Sequence, residues 1–325
     1  MRESDRAARV GEGRFAWLST DWGEVPDGWT VGDVGGIAVD SADNVFVFHR
    51  GEHPMLVFDR HGRLLRAWGE GIFVRPHGVH IDAEGFVWCT DDGDHTVRKC
   101  SPEGRVLRVL GVPGRPSPAM SGLPFCRCTH TATAPNGELY VTDGYGNACV
   151  HRFAPDGTLV ATWGRPGMGP GEFNLPHNLV CDGERIIVAD RESHRLQVFD
   201  LAGAYLASWH GVHRPCALCR GPGGLVYVGE AGPALTVNRE TPNLGPRVSV
   251  LGPDGALLGR IGAGAGTGLD ALVAPHALAV DGHGDVYIGE VTRAGWASAF
   301  PNLAMPERPR TLRKWRRTAG APSVA

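Results

Sequence analysis

The succession Gly78-Val79-His80-Ile81-Asp82, Gly85-Phe86-Val87-Trp88, Thr96-Val97-Arg98-Lys99 and Gly104-Arg105-Val106-Leu107-Arg108-Val109-Leu110-Gly111 decides the fold. Four short apolar-rich runs are separated by Asp-Gly-type turns, and the second run ends in an acid, Asp91. Runs of this length bounded by turn residues read as strands, and the turns break every three-to-four spacing that a helix would need. The phrase returns along the chain. Gly137 to Val141, Ala148 to Phe153 and Leu159 to Gly164 form one copy; Arg185 to Asp190, Arg195 to Asp200 and a close at Trp209 form another. The closing positions Trp68, Gly111, Gly164, Trp209 and Ile261 recur at intervals of about 40 to 55 residues. Four strands at that period predict a β-propeller, and six units can be counted.

The sixth unit has Ala277 to Asp281 and Asp285 to Gly289, then an insertion, then Arg310 to Trp315 as its third strand. Its fourth strand is missing at the C-terminal end. Phe15-Ala16-Trp17-Leu18 lies before the first unit and is expected to supply it, which would close the ring and remove two free sheet edges. The expected organisation is an N-terminal tail over 1–14, one all-β six-bladed propeller over 15–317 and a C-terminal tail over 318–325.

Composition agrees. Glycine and proline, 47 and 24 of 325 residues, make up about 22% against a usual ~12%. Apolar residues at 42% exclude a disordered chain. A net charge of −3 argues against general nucleic-acid binding, and the basic stretch Arg308 to Arg317 is expected to be a solvated outer strand. No apolar run approaches the ~20 residues of a membrane span. Met1 to Val10 is charged and lacks an apolar core, so a cytoplasmic location with no membrane partner is expected. The eight cysteines are then expected to be thiols, and the close pairs Cys126/Cys128 and Cys216/Cys219 do not make two zinc knuckles.

Aligning the units on the glycine-type turn before the second strand exposes one position, eight residues earlier, at the entry to the axis-lining strand. It holds Gly35, His77, Thr129, His177, Cys216 and His276 in units one to six. Each histidine follows a proline. Alternate blades of a six-bladed ring are related by ~120°, so three imidazoles at one level make a trigonal cradle. Three protein ligands with an open position is the catalytic zinc pattern, and zinc is the default among ions that imidazole suits. The second strand ends in an acid in units two to six and in His49 in unit one; just past that position stand Arg50 and Arg191, in units one and four. Tyr145 stands two residues past that acid in unit three. A guanidinium pair suits a carboxylate, and a phenol beside arginine is expected to have a lowered pKa and to serve as a base.

These stretches resemble the catalytic domain of peptidyl-α-hydroxyglycine α-amidating lyase, an NHL-type six-bladed propeller. The likeness is carried by Arg75-Pro76-His77-Gly78, Phe125-Cys126, Asp143-Gly144-Tyr145-Gly146-Asn147, Gly171 to His177, Ala189-Asp190-Arg191-Glu192 and Ala274-Pro275-His276. The resemblance implies that His77, His177 and His276 bind Zn2+ or another divalent transition metal. It implies that Tyr145 is the base, helped by Arg50, and that Arg191 positions the substrate. The implied reaction cleaves the C–N bond of an N-acyl hemiaminal, peptidyl-α-hydroxyglycine-like or ureidoglycolate-like, to an amide and an aldehyde. The implied partner is a small, carboxylate-bearing molecule. Two family features depart here. The family's structural Ca2+ uses an Asp where this chain has Ala277, which puts that ion in doubt. The family disulfide at Cys126 would need a cysteine where this chain has Gly146. Other readings stay open: a different metal-dependent hydrolase or dehydratase on the same cradle, or a non-catalytic NHL interaction scaffold. His130, one residue past the third-unit position, and Cys216 have no assigned role.

Overall fold

The computed structural model describes residues 7–12, 15–262 and 264–318. Six antiparallel sheets follow one another along the chain. Blades one to five each contain four consecutive strands, for example Pro76–Ile81, Val87–Asp91, Thr96–Cys100 and Val106–Leu110 in blade two. The sixth sheet takes Pro275–Val280, Val286–Glu290 and Leu312–Arg317 from the C-terminal part and Phe15–Thr20 from the N-terminal part, paired antiparallel at Trp17↔Arg317 through Thr20↔Lys314. A further strand, Ala7–Glu12, pairs outside Phe15–Thr20, within the segment expected to be a tail. The C-terminal tail beyond Thr318 lies outside the described residues.

The core is distributed over six seams between neighbouring blades. Phe46, Phe48 and Met55 of blade one meet Val79, Val87 and Cys89 of blade two, and the pattern repeats around the ring. Turn glycines of one blade cover the closing tryptophan of the blade before. Gly104 (φ +94°) lies so near Trp68 that a Cβ would sit 2.6 Å from the indole, and Gly203 (φ +92°) stands on Trp163 in the same way. A side chain at either place would clash and also strain the left-handed backbone.

The basic stretch near the C-terminus departs from expectation. Leu312 to Trp315 are buried, because two N-terminal strands lie outside them, whereas Arg308 and Arg316 are exposed as expected. The guanidinium of Arg313 pairs with the buried Glu290 at 2.5 Å, and Lys314 Nζ lies 2.8 Å from Asp285. These charges are neutralised inside the sheet.

The acids ending the second strands have a common task. Asp91 accepts the backbone N–H groups of Val74 and Arg75, Asp190 that of Asn174, Glu230 that of His213, and Glu290 those of Val273 and Ala274. Each fixes the loop that enters its own blade, rather than bridging to another. In blade one His49 stands in register with the acids, and its Nδ1 accepts the Gly32 N–H at 3.0 Å. These anchored loops carry the residues that reach the axis.

Candidate metal centre and active site

Every first–second strand pair shifts register at the same place. In blade two Pro76 pairs with Asp91 and Gly78 with Thr90, leaving His77 as the extra residue; His177 and His276 are bulged identically. Gly35, Thr129 and Cys216 are the bulged residues of the other blades. A bulge frees a residue from the ladder and re-aims its side chain, here toward the axis.

The two sets interlock. His77 Nδ1–H donates to the Thr129 carbonyl at 2.6 Å, His177 Nδ1–H to that of Cys216 at 2.7 Å, and His276 Nδ1–H to that of Gly35 at 2.9 Å. A carbonyl can only accept, so each ring is held in the tautomer whose Nε2 carries a lone pair. All three histidines are buried, and their ligand nitrogens lie within 4.8 Å of one another. Burial holds each imidazole well below its ordinary pKa, helped by Arg50 at His77, by Arg191 at His177 and by His77 at His276. Neutral rings, converging lone pairs and outer carbonyls fixing each tautomer are what a metal-binding histidine set requires, so this group could hold a metal ion.

Gly35 makes this packing possible. A Cβ there would lie 2.6 Å from the His77 carbonyl oxygen and 2.7 Å from that of Pro76. Gly35→Ala must part blades one and two and displace the carbonyl that holds His276. A 10–100-fold loss of metal affinity is expected, the usual range for an outer partner. Competition with a chelator measures it; wild-type affinity in the variant would remove that carbonyl from the account.

Tyr145 and the two arginines lie on the same face as the histidines. The Tyr145 hydroxyl is 3.1 Å from His77 Nε2, 3.0 Å from His177 Nε2 and 3.5 Å from Arg191 Nη1. Arg191 Nε is held by Glu192 at 2.7 Å, whereas Arg50 Nε donates to the Pro76 carbonyl at 3.1 Å. It is thus Arg191 that makes the closer approach to the phenol. The expected lowering of the phenol pKa is reversed: burial raises it, and Arg191 pulls back only part of the way. Burial and the like charge of Arg75 lower Arg50, a cation that an incoming anion would relieve.

Sequence reading missed three further arginines. Arg75 and Arg127 share Asp92, at 2.5 and 2.8 Å, and the Arg127 guanidinium sits 4.7 Å from the Tyr145 ring centroid. Arg214 lies 2.9 Å from Glu192. Burial would raise the Glu192 carboxyl, but Arg214 and Arg191 together hold it down to about 2. Arg50, Arg75, Arg191 and Arg214 line a cavity of about 270 Å³ with Tyr145, Cys216 and His276. The third nearby carboxylate, Asp33, accepts the N–H groups of Arg293 and Ala294 at the start of helix α1 (Thr292–Ala299), so positive charge prevails.

Ala277, where the resemblance implies an acid, is an apolar contact in the seam between blades six and one. A Cβ at Gly146 would run into the Cys126 sulfur, and all eight cysteines are free thiols. His130 faces a separate cavity of about 260 Å³ near His80, at the far ends of the axial strands. No helix among the described residues is long and apolar enough to cross a membrane.

Comparison with known proteins agrees with this architecture. A family model described as a 6-bladed beta-propeller matches residues 129–221. Human NHL repeat-containing protein 3 is 32% identical over 289 residues, covering 84% of this chain and 81% of that protein. The probable peptidyl-alpha-hydroxyglycine alpha-amidating lyase of Caenorhabditis elegans is 30% identical over 196 residues, covering 52% of this chain and 56% of that one. Rat peptidylglycine alpha-amidating monooxygenase is 33% identical over 200 residues, 52% of this chain; the match spans only a fifth (20%) of the rat protein's length. The chain belongs to the NHL-repeat six-bladed β-propeller family, among whose members its relatives include NHL repeat-containing protein 3 and amidating lyases.

Proposed function

We propose that this protein is a metal-dependent carbon–nitrogen lyase that splits an N-acyl hemiaminal bearing a carboxylate into an amide and an aldehyde. The observation that carries the reading is the Tyr145 hydroxyl within 3.1 Å of the lone-pair nitrogens of two histidines, in a cavity rich in guanidinium groups. His77, His177 and His276 would hold the ion, zinc by donor type. Bound there, it would supply Lewis acidity toward the substrate hydroxyl.

The protein's own groups do the rest. Arg50, whose Nε donates to a backbone carbonyl rather than to a carboxylate, takes the substrate carboxylate. Tyr145, as phenolate, accepts the hydroxyl proton. The C–O bond becomes C=O, the C–N bond breaks with its electron pair going to nitrogen, and the phenol returns the proton to that nitrogen. Atoms and charge balance without a further reagent. Burial opposes the phenolate, so the nearby positive charge of Arg191 and Arg127 is needed to keep it accessible. This makes Arg191 the phenol's partner and Arg50 the carboxylate's.

The test is the appearance of benzamide and glyoxylate from α-hydroxyhippurate with zinc-loaded protein. Both products in equal amounts are expected, faster than the spontaneous reaction. No acceleration on any hemiaminal would turn the cradle toward another metal-dependent reaction.

A further inference from the structure

The cavity above the histidines is lined by two unlike sets of residues, which meet where Arg214 Nη1 donates to the Gly232 carbonyl at 2.8 Å. Arginines form one. The other is built by two insertions that lie outside the repeat: the segment from Ala231 to Pro246 in blade five, and the segment carrying helix α1 in blade six. Most of the side chains they turn to the cavity are small and apolar, among them Ala231, Pro246, Ala294 and Ala299, with Val273 beside them; Ser298 adds a hydroxyl. Among the described residues, neither insertion contributes an acid or a lysine to the lining. Their one cation there, Arg239, ties one insertion to the other by donating from Nε to the Ser298 carbonyl at 2.9 Å; it keeps its charge and stands beside exposed residues of the blade-five insertion. Between the lining residues Ala234 and Arg239, Leu235 and Val237 are 64% and 85% exposed.

A carboxylate accounts for the arginine set and leaves the second set unmatched. A charged or unpaired polar group placed against alanine, proline and valine would lose its hydration without compensation. A peptide would bring an amide with each residue to a surface that offers few side-chain partners. The volume lies just under the roughly 300–1,000 Å³ of ordinary ligand sites, which suits a small molecule.

We infer that the site takes a small N-acyl compound whose acyl group is uncharged, compact and apolar, seated between the blade-five and blade-six insertions, and that these insertions set acyl specificity. This deepens the lyase reading and rests on it for the carboxylate end only.

Calorimetric titration of zinc-loaded protein with N-acylglycines, which lack the reactive hydroxyl, tests the inference without turnover. Hippurate is expected to bind about 10–100-fold more tightly than N-acetylglycine, and N-succinylglycine more weakly than either. Ala294→Phe and, separately, Ala299→Phe fill the pocket and should cut the hippurate-to-acetylglycine ratio at least tenfold. Arg50→Gln should weaken all ligands and leave that ratio alone. Equal affinities across the acyl series, or a ratio untouched by both filling variants, would overturn the inference even if hemiaminals are cleaved. Graded binding with no cleavage of the matching α-hydroxy compounds would remove the lyase reading and leave the acyl pocket standing.

Discussion

His177→Ala is expected to strip the protein of most of its bound metal. The remaining pair of imidazoles keep their orientation, since His77 and His276 are anchored to Thr129 and Gly35 in other seams. Two neutral nitrogens without a third hold a divalent ion far less well, and the loss should exceed the 10–100-fold typical of an outer partner. His77→Ala and His276→Ala should behave alike, because the three sites are equivalent in register. His80→Ala, on the strand of His77, and His130→Ala, on the inner strand of blade three, are the controls: the same residue type, but facing the other cavity. Elemental analysis after dialysis reads the result. Equal metal in wild type and all three cradle variants would mean that the convergence of nitrogens has another purpose.

Much of this site is legible in the sequence because it obeys the repeat. Counting back from the turn places three histidines at one level, and the structure gives the count its physical meaning: each lies at a bulge that turns the side chain inward. The same count holds more than the histidines. Gly35, Thr129 and Cys216, which look like fillers in the repeat, provide the carbonyls that fix the ring tautomers. Two residues before the bulge, Arg75, Arg127 and Arg214 recur in blades two, three and five, a register visible in the sequence itself.

Other features obey no period. The insertions of blades five and six escape a sequence reading because nothing local says where a loop outside the repeat will fold. Leu312 to Arg317 reads as solvated because of its charges, although Phe15 to Leu18 is expected beside it; the acids that neutralise Arg313 and Lys314 and the outermost strand Ala7–Glu12 are what its own sequence does not show. Ala7–Glu12 is hidden in a short glycine-containing, charged segment, although Val10 packs into the seam of blades five and six. The phenol misleads for an energetic reason: a nearby guanidinium signals a lowered pKa, but the cost of burial is the larger effect.

That balance makes Tyr145→Phe the sharpest test of the chemistry. The substitution keeps the ring that the Arg127 and Arg191 guanidiniums approach and removes only the oxygen that touches His77 and His177. Removing the hydroxyl leaves all three Nδ1 anchors in place, so the metal content should stay at the wild-type level. If the phenol moves the proton in both halves of the reaction, its loss should lower kcat by 10²–10⁴, the usual contribution of a positioned acid–base group, or roughly 3–5 kcal/mol of barrier. KM should change little, since Arg50 and the apolar lining hold the substrate without it. Arg191→Gln should give a smaller fall in kcat through the same oxygen, because it withdraws charge from the phenolate rather than the phenolate itself. A Tyr145→Phe enzyme that retains wild-type kcat would take the phenol out of the proton path and leave the arginine-lined cavity to be explained by substrate binding alone.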